Sequence, residues 1–298
     1  MQTIAFIGLG NMGGGMAANQ VKAGRTVRAF DLSDKALAKA SDAGCMACTS
    51  AAEAVKGADA VITMLPAGKH VLSVYEQDIL PMATSGTLLV DCSTIDVDSA
   101  RKAATLAQGA GKGFRTADAP VSGGTAAADA GTLAFMVGCD EADFADVETA
   151  LDPMSRVTIH AGDNGAGQAA KICNNMLLGI SMIGTCEAFA LADRLGLSAE
   201  RFFEISSQSS GQNWSMTSYC PVEGVGPASP ADRNFEGGFA TDMMLKDLRL
   251  AKEAAMTSGA VTPMGGHAEA LYALLSEQGL GHKDFSSIIE LLSKGSVK

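Results

Sequence analysis

Along the first half of the chain, apolar residues gather in short, β-branched runs at positions 4–7, 27–30, 60–64 and 88–90, with weaker runs at 115–118 and 134–137. The stretches between them have helical spacing. This alternation predicts a mainly parallel sheet covered by helices on both faces, with room for antiparallel edge members among the later strands. From position 165 onward the strand signal disappears. Residues 168–195 are almost uninterrupted helix formers, apolar on most faces, which predicts a buried helix of roughly 40 Å at 1.5 Å per residue. Such a helix can link two domains, placed here at residues 1–163 and 164–298. Further helices are predicted at 198–207, 241–258, 265–277 and 284–293, with Gly259 or Gly295 as terminators. Residues 208–238 form a long stretch rich in Gly, Pro, Ser and Asn that holds the only tryptophan, Trp214. Loops of that length inside a compact chain are usually functional or disordered.

Composition narrows the class. At 298 residues with 47% hydrophobic content, the chain can bury full cores. A formal net charge of -11 leaves no basic surface for phosphate neutralisation, so nucleic acid is not an expected partner. The seven cysteines are scattered through apolar stretches and read as reduced thiols, including Cys45 and Cys48, whose CxxC spacing has no second pair to complete a metal site. The chain enters its first strand without the basic and apolar blocks of a signal peptide. Its longest apolar segment is broken by Asn174, Asn175 and Glu187, which a lipid-facing helix tolerates poorly. A cytoplasmic protein with no membrane partner is the expectation.

Gly8-Leu9-Gly10-Asn11-Met12-Gly13 is a GxGxxG pattern set between a predicted strand and a predicted helix. In that context Gly8 permits the tight turn, Gly10 lets backbone approach a pyrophosphate, and Gly13 allows close helix–strand packing. Exposed amides at the helix start would then meet phosphate. Asp31 ends the second strand 18 residues after Gly13, where a carboxylate accepts hydrogen bonds from an adenosine ribose and repels a 2′-phosphate. NAD is therefore the expected cofactor, in preference to NADP. A third strand ends in Met64-Leu65-Pro66, and a fourth is followed by Asp91-Cys92-Ser93-Thr94. Both turns either face the nicotinamide half of the cofactor or serve only to stop a strand and cap a helix.

Asp118-Ala119-Pro120-Val121-Ser122-Gly123-Gly124 can point a hydroxyl and bare amides at one spot, an arrangement suited to a carboxylate, or can be a polar connection. In the segment Gly165 to Asn175, Lys171 and Asn175 stand four residues apart on one helical face. Burial in an apolar helix would lower the lysine pKa and make it usable as acid and base near neutrality; the alternative is a structural ion pair. Lys246-Asp247 is either a contact with cofactor or substrate or a solvent-facing charge pair. His70, His160, His267 and His282 are far apart in sequence and lack acidic partners at ligand spacing, so no metal is expected.

Taken together, GLGNMG at positions 8–13, DAPVSGG at 118–124 with GTL at 131–133, GAGQAAKICNN at 165–175 and KDL at 246–248 resemble the β-hydroxyacid dehydrogenase family. The segment around Asn213-Trp214-Ser215 through Phe239 is similar to the substrate-side loop of its 3-hydroxyisobutyrate-oxidising branch. The resemblance implies a Rossmann-like NAD-binding domain followed by an all-α substrate and oligomerisation domain. It implies Lys171 as catalytic acid/base, Asn175 as an orienting group, and Ser122, Gly123 and Gly124 as carboxylate binders. Trp214, Phe239 and Asp247 are placed on the substrate side. Besides Gly8, Gly10, Gly13 and Asp31, the cofactor contacts would be Asn11, Met12, Leu65, Pro66, His70, Thr94 and Lys246. The implied reaction is NAD-dependent oxidation of a small 3-hydroxy acid, 3-hydroxyisobutyrate to methylmalonate semialdehyde, in a homodimer or homotetramer. Serine or tartronate semialdehyde as substrate, and a non-catalytic dinucleotide-binding protein, are the alternatives. Two positions depart from the family pattern. Gly15 replaces a common proline, and Gln20 stands where an apolar residue is usual; both are expected to loosen the first helix.

Overall fold

The computed structural model describes residues 1–293. These divide into two compact units that meet at Lys171 and Ile172. The amino-terminal unit alternates β1 (Thr3–Ile7), α1 (Gly13–Lys22), β2 (Thr26–Phe30), α2 (Asp34–Asp42), β3 (Met46–Ala47), α3 (Ala51–Val55), β4 (Ala60–Thr63) and α4 (Gly68–Val74). A π-turn leads from α4 into the short α5 (Leu80–Met82), followed by β5 (Leu88–Asp91), α6 (Val97–Gly109), β6 (Arg115–Asp118), β7 (Val121–Ser122), α7 (Gly124–Ala130), β8 (Leu133–Cys139), α8 (Phe144–Leu151) and β9 (Ser155–Gly162).

The sheet runs β3-β2-β1-β4-β5-β6-β8-β7, with β9 beside β8. Every pair from β3 to β6 is parallel, β8 is antiparallel to β6 and β7, and β9 is parallel to β8. Parallel strands are buried on both faces, which is why their sequences read as unbroken apolar runs. In β1, Ile4 and Phe6 pack with Met16 and Ala17 of α1, while Ala5 and Ile7 pack with Ala51 and Ala54 of α3. Helix starts are marked by side-chain caps: Ser33 accepts from the Ala36 amide, Ser50 from Glu53 and Asp96 from Ser99.

Gly15 and Gln20 do not loosen α1. A methyl group at Gly15 would stand 2.3 Å from Asp129 Oδ1 and 3.0 Å from the Asp129 amide, so glycine is what lets α1 and α7 pack closely. Gln20 is fully buried, and its Nε2 donates to the Ala150 carbonyl at 2.8 Å. Its Oε1 accepts from Arg25, which also donates to the Ala150 and Thr149 carbonyls. The pair thus satisfies orphan carbonyls at the end of α8.

The chain then enters α9 (Ala166–Arg194), a helix of 29 residues. By length and composition it could cross a membrane. Part of it is built into protein, where Met182, Ile183 and Cys186 share a core with Met244 and Leu248 of α12 (Thr241–Ser258) and Tyr272 and Leu275 of α13 (Pro263–Leu275), while Leu177 and Leu191 are exposed. The carboxy-terminal unit also contains α10 (Ala199–Ser206), α11 (Trp214–Thr217) and α14 (Ile288–Ser293), and no strand longer than one bridge among the described residues. Gly259 closes α12; Gly295, the other expected terminator, lies outside the described residues. The segment 208–238 is irregular apart from α11 and one 3-10 turn at Pro230–Arg233. All seven cysteines are free thiols, and only Cys173 is exposed.

Candidate active site

Strands β2, β1, β4, β5 and β6 lie side by side and point the same way, so their carboxyl ends share one edge of the sheet. That edge is where open α/β sheets bind ligands. In order it carries Asp31, the glycine loop from Gly8 to Gly13, the Leu65-Pro66 turn, the turn from Cys92 to Ile95, and Ala119 to Gly124. Neighbouring loops are bonded to one another. The Gly8 amide donates to the Phe30 carbonyl at 2.9 Å, the Leu9 amide to Asp31 Oδ2 at 2.6 Å, and the Leu65 amide to Ser93 Oγ at 2.8 Å.

The glycine loop fits a dinucleotide. A methyl group at Gly8 would stand 2.2 Å from the Met64 carbonyl oxygen, and one at Gly13 would stand 2.0 Å from the Gly8 oxygen. Both glycines are required by the protein itself. A methyl at Gly10, in contrast, would meet nothing within 4 Å among the described residues, so packing inside them does not demand glycine at that exposed position. Gly13 is the first residue of α1, whose amino terminus lies beside Gly10, with the Gly14 amide donating to the Gly10 carbonyl at 3.3 Å. Asn11 is exposed and Met12 half-buried at this turn. Asp31 is half-buried, and besides Leu9 it accepts from the Ser33 amide at 2.8 Å, an orientation that leaves lone pairs for a ribose. Pro66 and His70 are exposed, and Leu65 and Thr94 half-buried.

Behind these turns, Asp91 is buried at the end of β5. Its Oδ1 accepts from Thr63 Oγ1 at 2.6 Å and from the Ser93 hydroxyl at 2.5 Å, while Oδ2 has no hydrogen-bond partner among the described residues. Burial pushes this carboxyl up to about 6, against the pull of those donors.

The start of α9 is fastened to the same edge. Asp118, at the end of β6, accepts from the Gly165 amide at 2.5 Å and the Gln168 amide at 2.8 Å, placing a carboxylate against the helix amino terminus. Burial raises the Asp118 pKa all the same. A methyl at Gly167 would stand 2.3 Å from the Met136 carbonyl oxygen, so the helix can approach the sheet only with glycine there. The fully buried Gln168 donates to the Ser93 carbonyl at 2.7 Å and accepts from the Ile95 amide at 3.1 Å. Lys171 follows three residues later, one turn along the same helical face, and is 7% exposed. These bonds fasten the start of α9 to the amino-terminal unit, which runs through Lys171. Ser122 ends β7 half-buried, and Gly123 and Gly124 follow with φ of 139° and 70°, leaving a backbone without side chains at the start of α7.

The carboxy-terminal unit gathers a second group. Asn175, 2% exposed, donates through Nδ2 to Asp247 Oδ2 at 2.6 Å. Lys246 Nζ lies 3.3 Å from Asp247 Oδ1 without hydrogen-bond alignment. The exposed Trp214 stacks on Tyr219, which stacks on Phe285, and the half-buried Phe239 meets Phe285 edge-on. Asp284 ties this aromatic group together: it accepts from the Tyr219 hydroxyl at 2.8 Å, the Phe239 amide at 2.7 Å and the Ser286 amide at 2.9 Å.

Sequence reading passed over Gln168, Asp118, Asp91 and Asp284. Gln168 had a usable signal, a polar residue one turn before Lys171 in an apolar helix. Asp118 and Asp284 lie 47 and 45 residues from Gly165 and Phe239, and Asp91 lies 28 residues from Thr63.

Comparison with known proteins agrees with this geometry. Residues 3–162 match the family model of the NAD binding domain of 6-phosphogluconate dehydrogenase, and residues 165–292 match that described as NAD-binding of NADP-dependent 3-hydroxyisobutyrate dehydrogenase. The chain is 48% identical over 293 residues to an NAD-dependent L-serine dehydrogenase of Pseudomonas aeruginosa, covering 98% of each chain. It is 48% identical over 295 residues to a 3-hydroxyisobutyrate dehydrogenase of the same organism, again covering 98% of each. The structure of Mycobacterium tuberculosis 3-hydroxyisobutyrate dehydrogenase with L-serine superposes with a TM-score of 0.95 at 47% identity, over 98% of this chain and 99% of that one. With the glycine loop, Asp31 and the helix of Lys171 ranged along one sheet edge, the chain belongs to the β-hydroxyacid dehydrogenase family, in the group of NAD-dependent oxidoreductases that includes the 3-hydroxyisobutyrate dehydrogenases.

Proposed function

We propose that the protein oxidises 3-hydroxyisobutyrate to methylmalonate semialdehyde, with Lys171 as the proton-transfer residue. The observation that carries this reading is the docking of α9: Gln168 and Asp118 fix the turn before Lys171 on the sheet edge beside the Ser93 turn. Gly8, Gly10, Asn11, Met12, Gly13, Asp31, Leu65, Pro66, His70, Thr94 and Lys246 are assigned to the dinucleotide. Held by these residues, the dinucleotide would supply the hydride acceptor for the carbinol carbon.

The chain's own residues do the rest. The Ser122 hydroxyl and the amides of Gly123 and Gly124 hold the substrate carboxylate. Lys171 takes the hydroxyl proton as the carbon–oxygen bond gains double-bond character. Asn175, anchored by Asp247, orients the alcohol. Trp214, Phe239 and Asp247 are assigned to the substrate side. The reading includes a soluble, cytoplasmic homodimer or homotetramer and a domain division of labour, with the amino-terminal unit binding NAD and the helical unit serving substrate and assembly.

Oxidation of L-serine is a second reading with specific support. One similar protein carries that activity in its name, and a similar structure is a complex with L-serine. The two acids share a 3-hydroxy carboxylate and differ at C2, methyl against ammonium. NADH formation measured over a panel of short hydroxy acids decides between them. The proposal expects the highest kcat/KM with 3-hydroxyisobutyrate. A higher value with L-serine transfers the assignment to serine, a preference for tartronate semialdehyde in the reverse direction transfers it to that acid, and no turnover with any member leaves a dinucleotide-binding protein.

A further inference from the structure

A buried carboxyl that takes no direct part in proton transfer lies behind the turns assigned to the cofactor. Asp91 Oδ1 receives Thr63 Oγ1 from β4 and both the hydroxyl and, at 3.3 Å, the amide of Ser93. The Ser93 hydroxyl thereby links two loops: it donates to Asp91 and accepts from the Leu65 amide. The next links are the Ser93 carbonyl and the Ile95 amide, both held by Gln168, one turn before Lys171. One oxygen atom therefore stands at the root of two loops and, through Ser93, of the lysine-bearing turn.

Keeping a carboxyl in such a place is costly, because burial disfavours its charge and Oδ2 finds no donor among the described residues. A cheaper residue would suffice merely to fill the space. With three donors converging on Oδ1, any proton the group carries sits on Oδ2, so the acceptor function of Oδ1 is the same in both protonation states.

We propose that Asp91 is a positioning residue, which through Oδ1 and the Ser93 hydroxyl sets the Leu65-Pro66 turn in register with the Ser93–Ile95 turn for dinucleotide binding. The inference rests on the assignment of those turns to the cofactor in the function proposed above. It makes the acceptor oxygen, not the negative charge, the part that matters.

Calorimetric titration of NAD into wild type, Ser93→Ala, Asp91→Ala, Asp91→Asn and the Ser93→Ala/Asp91→Ala double variant tests it, with the melting temperature of each recorded. Losing a hydrogen bond that orders the turn is expected to weaken NAD binding about tenfold in Ser93→Ala and in Asp91→Ala. The double variant should be no weaker than the worse single, because both act through one chain of bonds. Asp91→Asn keeps an acceptor at Oδ1 and should bind NAD within about threefold of wild type. Ser93→Ala removes one buried hydroxyl and keeps the carboxyl, a smaller change that carries the test if Asp91→Ala fails to fold. NAD affinity within twofold of wild type in Ser93→Ala, additive losses in the double variant, or Asp91→Asn as damaged as Asp91→Ala each overturn the proposal. Wild type that binds NAD yet oxidises no hydroxy acid defeats the proposed reaction and leaves these affinity ratios to be read as before.

Discussion

Asn175 and Asp247 are joined by a 2.6 Å hydrogen bond from amide to carboxylate, and each is 2% exposed. The two partners are not equivalent. Removing Asn175 leaves a buried carboxylate with Lys246 at 3.3 Å as its neighbour in charge and Oδ1 already lacking an aligned donor. Removing Asp247 leaves a neutral amide. Asn175→Ala is therefore expected to cost more unfolding free energy in urea than Asp247→Ala, by about 1–2 kcal/mol, since a stranded charge is dearer than a stranded dipole. Equal losses would mean that Lys246 alone satisfies the carboxylate.

Lys171→Ala should lower turnover by about 10²–10⁴-fold, the usual contribution of a positioned acid or base, with NAD affinity nearly unchanged. Steady-state rates with a calorimetric NAD titration check both halves. Near-normal turnover removes the lysine from the mechanism.

The glycine loop makes a sharper prediction, because its three glycines answer to different constraints. Gly10→Ala should fold and melt like wild type yet bind NAD at least about tenfold more weakly, since the added methyl meets no protein atom within 4 Å. Gly8→Ala and Gly13→Ala should lose stability, for each places a methyl within 2.2 Å of a backbone oxygen. Thermal melts with and without NAD separate the two behaviours.

Asp31 is oriented by the Leu9 and Ser33 amides and is expected to give NAD a preference over NADP. Asp31→Ser should reduce the ratio of kcat/KM for NAD to that for NADP about tenfold or more, as a charge-assisted bond to the ribose and a repulsion of the 2′-phosphate are lost together. Comparable efficiency of wild type with both cofactors would contradict this assignment.

Asp91 also predicts a pH dependence. Its folded pKa, about 6, exceeds the unfolded value near 3.8, so the native state holds the proton more tightly between those limits. This contribution to stability is complete below about pH 4 and is lost as pH rises through about 6, up to a limit of about 3 kcal/mol. Asp118, Asp143 and Asp284 shift in the same direction through burial, so the difference between wild type and Asp91→Asn isolates the one group. Wild type should lose stability relative to Asp91→Asn between pH 4 and pH 7; a difference that stays flat would show that Asp91 ionises normally.

The alternating architecture was legible because β1, β4 and β5 are buried on both faces and leave unbroken apolar runs. β3 and β7 were not, since two residues carry no period, and neither was β9, where Ser155, Arg156, Thr158 and His160 dilute the apolar signal of an edge strand. Motif residues such as Gly8 and Lys171 announced themselves through local spacing. Asp118 and Asp284 did not, because each works on groups 47 and 45 residues away, at Gly165 and Phe239, and a pairing of that kind is written only in three dimensions. Gln20 was misread for the same reason: its partner, the Ala150 carbonyl, lies 130 residues further along.

Asp284 holds the span from Tyr219 to Phe239 at both of its ends with a single carboxylate oxygen. A segment moored in this way behaves as a cassette. A change of length in its exposed stretch, at residues 226–228, would therefore leave the stacked group of Trp214, Tyr219 and Phe285 where it stands.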